Sequence, residues 1–460
     1  MARTRVIHRC VECGAVEPKW SGRCGTCGAW NSLVEEAEGA RLPTGVIGLA
    51  PSSPPVPIGD VSVSDAQPTP TGIGELDRVL GGGLVPGSVT LLGGEPGIGK
   101  STLLLQLVAR WPGRVLYLSG EESAQQVRLR AERLGAVRDN LWLQAETNLT
   151  HLLAAVDDLR PDLVVVDSIQ TIVDPELGSS PGSVVQVRGC AHRLVQEAKN
   201  RRTPFVLVGH VTKEGGLAGP RVLEHAVDTV LSFEGEHHHA LRLLRATKHR
   251  FGSAQELGLF EMTEAGLMGV PDPSALFLAD RRPGVAGSVL VAAMEGQRPL
   301  LVELQALVTG TKLPQPRRSA QGVDHGRFSL LLAVLASRAR VQLHDQDVFA
   351  SVVGGVRLAD TGADLAVCLA VVSALSGLPV PADLIACGEV GLGGEVRQVA
   401  HTARRLAEAA RLGVTRAIVP ASAPAGPPDM RLHRVNTVVD ALRCAGLPPG
   451  STPPVRPLGP

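Results

Sequence analysis

Between residues 71 and 270 the chain alternates short, unbroken apolar runs with stretches of helical period. Val89-Thr90-Leu91-Leu92, Val115-Leu116-Tyr117-Leu118, Leu163-Val164-Val165-Val166 and Phe205-Val206-Leu207-Val208 are continuous apolar strands. Amphipathic helices are predicted at 100–110 and 123–134. Strands buried on both faces and separated by helices imply a mostly parallel sheet with helical covers. The segments 227–233 and 240–247 predict a hairpin at the end of that sheet.

The texture changes on either side. Residues 276–445 open with strand-like pieces at 289–293 and 300–308, then carry Ala/Leu/Val helices at 328–338, 364–376 and 400–412. This predicts a second α/β module, without a Gly-rich phosphate loop of its own. Residues 36–70 are Pro/Gly/Ser-rich with no sustained period and read as a linker. The Pro-rich end, 446–460, reads as a disordered tail, and residues 1–35 hold a cysteine cluster.

Composition narrows the class only slightly. Of the 460 residues 44% are apolar and 20% charged, which is globular and long enough for two or three domains. With 45 basic and 45 acidic side chains, a nucleic-acid path must rest on local patches. The basic start is not followed by an apolar signal core. The longest apolar stretch, from Leu365, is broken by Ser373, Ser376, Gly377 and Pro379, short of the roughly 20 residues a membrane span needs. A cytoplasmic protein is expected.

Gly94-Glu95-Pro96-Gly97-Ile98-Gly99-Lys100-Ser101 matches the P-loop pattern between a predicted strand and a predicted helix, with Thr102 next. Such a loop turns backbone N–H groups toward phosphate oxygens, and the helix N-terminus adds its positive dipole end. ATP is the ligand this predicts. Lys100 is placed to reach the β- and γ-phosphates and Ser101 to ligate Mg²⁺. Asp167 closes the strand 163–166, where a Walker B carboxylate holds Mg²⁺ through water. Glu121 and Glu122 follow the strand 115–118, so at least one can face the γ-phosphate. A pair favoured by a helix N-terminus is the alternative.

Four of the eight cysteines form two C-x-x-C knuckles, Cys10/Cys13 and Cys24/Cys27, each followed by glycine. Two knuckles place four thiolates around one tetrahedral ion, and zinc is preferred because nothing else suggests electron transfer. A module this small depends on its metal to fold. Arg9, Lys19, Arg23, Trp20 and Trp30 either add a DNA- or protein-contacting surface or, for the tryptophans, fill the small core. Cys190, Cys368, Cys387 and Cys444 are scattered singly and read as core filler.

The run Thr71-Gly72-Ile73-Gly74-Glu75-Leu76-Asp77, then Leu80-Gly81-Gly82-Gly83-Leu84 and the P-loop, resembles the opening of the RecA superfamily. Within it, nearly the whole chain resembles the bacterial RadA (Sms) family of recombination and repair ATPases. The resemblance is carried by the cysteine knuckles, the segments 117–123 and 166–171, Lys248-His249-Arg250-Phe251-Gly252 and Asp345-Gln346-Asp347-Val348-Phe349. It implies that Glu121 is the catalytic glutamate. It puts His210 where RecA-like proteins keep a γ-phosphate sensor, although a capped loop histidine reads equally from the residues. It equates residues 248–252 with the family's Lys-Asn-Arg-Phe-Gly motif, tied to DNA handling and to ATPase action between neighbouring subunits. His249 replaces the family's asparagine and leaves both cations in place; from the residues alone the motif reads as a solvated turn.

By the same resemblance, residues 276–445 are similar to the proteolytic domain of Lon. Gly362 falls at its serine position and Ala403 at its lysine position, so no peptide hydrolysis is expected. Arg317, Arg318, Arg397, Arg404 and Arg405 are candidate DNA contacts there. The function implied is a DNA-dependent ATPase and 5′–3′ helicase. It would form a homohexamer that branch-migrates recombination intermediates on single-stranded and branched DNA, with the recombinase RecA as partner. A KaiC-like regulatory ATPase, whose turnover ignores DNA, is the alternative; a Lon-type protease is a third class.

Overall fold

A computed structural model describes residues 6–10, 15–30, 32–37, 56–60, 62, 66–210, 222–235, 241–254, 256–358 and 360–450. The chain divides into two compact units, Met1–Pro271 and Asp272–Pro460. The first begins with a small antiparallel sheet of β1 (Val6–Cys10), β2 (Val16–Glu17) and β3 (Leu33–Ala37), in the order β2-β1-β3.

The main body of this unit then runs α1 (Gly74–Val79), β4 (Val89–Gly94), α2 (Lys100–Arg110), β5 (Val115–Ser119), α3 (Ala124–Arg133), β6 (Leu141–Ala145), α4 (Leu149–Leu159) and β7 (Leu163–Asp167). It continues with α5 (Val184–Arg201), β8 (Phe205–His210), α6 (Val222–Ala226), β9 (Thr229–Glu234), β10 (Leu241–His249), β11 (Leu257–Thr263) and β12 (Gly266–Gly269). These strands form one sheet in the order β12-β11-β10-β9-β4-β8-β7-β5-β6. Pairing is parallel from β9 to β6 and antiparallel from β9 to β12.

The continuous apolar runs are resolved by strand alternation. Leu92, Tyr117, Val165 and Val208 face one core with Leu103, Leu104 and Leu107 of α2 and Val127 of α3. Their neighbours Leu91, Leu118, Val166 and Leu207 face a second core with Leu152 of α4 and Leu194 of α5. Each helix layer therefore consumes every second residue of the same strands. The predicted hairpin exists as β9 and β10. Beyond this hairpin the sheet continues with β11 and β12. Their register is fixed by two buried polar side chains. The Glu75 carboxylate accepts from Leu259 N at 2.9 Å. Gln106 accepts from Leu267 N at 2.9 Å and donates to Leu267 O at 3.1 Å.

The second unit comprises α7 (Pro273–Leu278), β13 (Ser288–Glu295), β14 (Arg298–Gly310), β15 (Arg318–Gln321), α8 (His325–Arg338), β16 (Gln346–Val352), α9 (Asp364–Ser376) and β17 (Leu384–Ala386). After it come β18 (Glu389–Val390), β19 (Val396–Arg397), α10 (Thr402–Arg411), β20 (Arg416–Pro420), β21 (Arg431–Val435) and α11 (Val438–Cys444). Its main sheet has the order β15-β16-β14-β13-β17-β20-β21, with α9 buried all round.

Arg405, a candidate surface contact in the sequence reading, is instead only 1% exposed. It pairs with Asp360 at 2.7 Å and donates to the carbonyls of Ala400 and Ala292. A Cβ at Gly362 would lie 2.8 Å from Arg405 Nη1, so the guanidinium fills the space beside that glycine. Ala403, two residues along α10, is exposed. Arg317, Arg397 and Arg404 are exposed, and Arg318 is partly buried against backbone carbonyls.

Gln106→Ala leaves the Leu267 N–H and carbonyl without partners in a buried place. A loss on the order of 2 kcal/mol is expected in denaturant unfolding, against near-zero change for Gln106→Glu only if a proton is taken up. In the second unit, Arg411 holds the Asp272 carboxyl down to about 2 through hydrogen bonds of 2.6 and 2.8 Å. A depressed folded-state value means this stabilisation is complete above the ordinary carboxylate range and lost as pH falls toward 2. Asp272→Asn should flatten that part of the acid-unfolding curve; an unchanged curve would rule the pair out as its source.

Candidate nucleotide site and zinc module

β4, β8 and β7 end side by side at the carboxyl edge of the sheet, where open α/β folds bind ligands. The P-loop turns out of β4, and α2 starts at Lys100 after Gly99, whose φ of 117° is left-handed. No side chain caps α2. Its first amides are therefore available to an anion.

Lys100 is 6% exposed, and its ammonium donates to Gly94 O at 2.8 Å and Glu95 O at 2.9 Å. Burial lowers its pKa, while the carboxylates of Asp167 and Glu121 oppose the shift. The P-loop lysine, the end of β7 and the loop after β5 thus converge on one place. Asp167 Oδ2 accepts from the phenol of Tyr117 at 2.7 Å. Tyr117 is fully buried, and burial beside Asp167 pushes its pKa well up, so the phenol keeps its proton as donor.

The two candidate glutamates part company. Glu121 is exposed and accepts from Ser168 Oγ at 2.5 Å, beside Asp167. Glu122 is tied to Arg130 of α3 at 2.6 Å. Ser123 then caps α3 through a capping box with Gln126, which fixes where the helix begins. His210 ends β8 in register with Gly94. Its side chain lies outside the described residues.

The Lys248–Gly252 motif is not a free turn. Lys248 donates to the carbonyls of Glu224 and Val227, each at 2.7 Å, closing the end of α6. Burial lowers its pKa, and Arg250 adds to that. Arg250 pairs with the buried Asp228 at 3.0 Å, and Asp228 also accepts from Val89 N of β4. Arg250 remains about half exposed and is the outward cation of the motif. His249 meets Thr229 Oγ1 through Nδ1 at 3.1 Å and stands edge-on to Phe251, and burial lowers its pKa.

In the cysteine module, the Sγ atoms of Cys10, Cys24 and Cys27 lie within 4.8 Å of one another. Cys10 N–H donates to Ala15 O and Cys24 N–H to Ala29 O, both at 2.9 Å, so the two knuckles close alike. The first closure brackets Cys13, which lies outside the described residues. Three converging thiols with little else in the core suit a soft divalent ion such as zinc. The tryptophans do not fill that core: Trp20 is 59% and Trp30 73% exposed.

Comparison with known proteins matches the regions that carry the two candidate sites. Residues 8–35 match a rubredoxin metal-binding domain and residues 53–216 match an AAA domain. The DNA repair protein RadA of Pseudomonas aeruginosa is 51% identical over 451 residues, covering 96% of this chain and all of that protein. RadA of Bacillus subtilis is 48% identical over 454 residues, covering 96% and 99%. The chain belongs to the RadA family. Family membership spans the zinc module, the ATPase core and the second unit alike. Among solved structures, a KaiC-like protein from Pyrococcus horikoshii covers 45% of the chain at 19% identity with a TM-score of 0.38, too slight a likeness to carry an argument. Strand order and the P-loop define a P-loop ATPase core without it. Among the described residues no helix is long and apolar enough to cross a membrane.

Cys24→Ala should abolish zinc retention, measured by metal analysis of the purified chain. It should leave the thermal transition of the ATPase core in place. Full zinc content in that variant would remove the thiol from the ligand set.

Proposed function

We propose that this chain is a DNA-dependent ATPase of homologous recombination and DNA repair, acting on single-stranded and branched DNA. The observation that carries the reading is the convergence of Lys100, Asp167 and Glu121 at one sheet edge, in a chain aligned end to end with DNA repair proteins.

The residues present suit Mg·ATP. Lys100 would meet phosphate oxygens in place of its two P-loop carbonyls, and the amides at the start of α2 would face the remaining charge. Ser101 and Asp167 would hold Mg²⁺, which would supply charge neutralisation to the phosphates. Tyr117 orients the Asp167 carboxylate through Oδ2, and that carboxylate would serve the metal. Glu121 orients or deprotonates the attacking water, with Ser168 as its anchor. Glu122 is committed to Arg130 and takes no part. His210, in register with the P-loop, acts as the polar sensor on the neighbouring strand.

Arg250, Phe251 and the rest of the motif serve DNA or a neighbouring subunit's nucleotide, with Arg250 as the cation that makes the contact. Lys248 supports it by closing α6, and His249 substitutes a ring packed on Phe251 for the family's amide. The active form is a homohexamer with nucleotide between subunits, moving 5′–3′ on single strands and driving branch migration with RecA. The second unit is a Lon-like scaffold (residues 276–445) without the Ser–Lys dyad: Gly362 has no side chain, Ala403 no amine, and Arg405 occupies the adjoining space. Cys13 completes the zinc set.

The test is the ATPase rate with and without single-stranded DNA. Wild type should be stimulated. Lys100→Ala should be inactive, and Glu121→Gln should still bind nucleotide but turn over at least ~100-fold slower. Arg250→Ala should keep nucleotide binding and lose the stimulation, while Lys248→Ala should also destabilise the core. If wild-type turnover ignores DNA at low salt, the reading fails and a KaiC-like regulatory ATPase becomes the better account.

A further inference from the structure

The zinc module exposes aromatic surface that its fold does not need. Among the described residues its core holds Cys10, Cys24 and Leu33 with Ala15 against them. Trp20 and Trp30, the two largest side chains of the module, lie outside it at 59% and 73% exposure. Hydrophobic rings of this size normally carry core or interface energy, and one left in water asks for a partner.

Local structure holds these rings in place. Trp30 bridges to Arg23 across the second knuckle in antiparallel fashion. The Arg23 guanidinium stands 5.7 Å from the Trp30 ring centroid, and its Nε donates to Gly28 O at 2.9 Å. Arg23 is thereby pinned with its charge beside the indole. Ser21 Oγ donates to Arg23 O at 2.7 Å, fixing the short link between Trp20 and Arg23. Lys19 is exposed next to Trp20. Between residues 18 and 34 the charged side chains are the cations Lys19 and Arg23, while the Glu17 carboxylate lies beside Gly25.

Exposed indoles on a rigid knuckle, interleaved with cations, have the composition of a single-strand platform. Every base offers a π-face for stacking, and each phosphate offers a charge for Lys or Arg. A duplex hides its base faces, so the platform selects unpaired nucleotides. We infer that Trp20 and Trp30, with Lys19 and Arg23, form a stacking site for unpaired bases of single-stranded DNA. The inference rests on the proposed action on DNA and assigns a site within it, apart from the ATPase motor.

Affinity of the full-length, zinc-loaded chain for a labelled oligo-dT, read by anisotropy over a salt series, tests this. Trp30→Ala should weaken binding about ten-fold, with Trp30→Phe close to wild type, since stacking needs a ring rather than an indole. The slope of log affinity against log salt should not move for either variant. Lys19→Gln should instead reduce that slope by about 0.7, the signature of one lost phosphate contact. Zinc content and the unfolding transition show that each variant is folded. A wild-type chain that binds the oligonucleotide while Trp30→Ala and the Trp20/Trp30 double alanine variant bind equally well overturns the stacking site alone. A wild-type chain that fails to bind at low salt overturns the DNA reading and this site with it.

Discussion

Lys100 is a cation held almost entirely away from water, and the organisation of the nucleotide site follows from that. A buried ammonium survives only with partners on all its protons or with opposite charge nearby. Here two P-loop carbonyls supply the hydrogen bonds, and Asp167 and Glu121 supply the field that opposes the loss of its proton. Those carboxylates come from different strands, β7 and the loop after β5. The sheet must therefore carry β4, β8, β7 and β5 in that order for the charges to meet. The ammonium is thus held by oxygen acceptors at the mouth of the P-loop.

Each of these carboxylates also accepts from a hydroxyl, Asp167 from Tyr117 and Glu121 from Ser168. The contrast is visible one residue away, where Glu122 is paired with Arg130 and serves α3 instead. Two adjacent glutamates thus receive different duties through their neighbours' chemistry.

Much of the ATPase core was legible in the sequence because its signals are local. A P-loop is contiguous, and continuous apolar runs announce strands buried on both faces. The wing β11–β12 was missed because its identity depends on Glu75 and Gln106, polar side chains from distant helices that satisfy strand edges. The same blindness hid Arg405, which reads as a surface cation and is buried on Asp360 and two carbonyls. It also hid the state of Lys248, whose carbonyl partners lie more than twenty residues back. Spacing located the thiols, yet only coordinates separated core-filling tryptophans from exposed ones. In each case the missing information was which distant group would satisfy a polar atom or cover a ring.

Tyr117 has a consequence of a different kind. It is the single tyrosine among 460 residues, and it sits on the carboxylate at the end of β7. Any phenol resonance or tyrosine vibrational band of this protein therefore arises from one buried hydrogen bond at the heart of the nucleotide site. The molecule carries its own native label there, and the electrostatic state of Asp167 can be followed through a turnover cycle without attaching a probe or altering a residue.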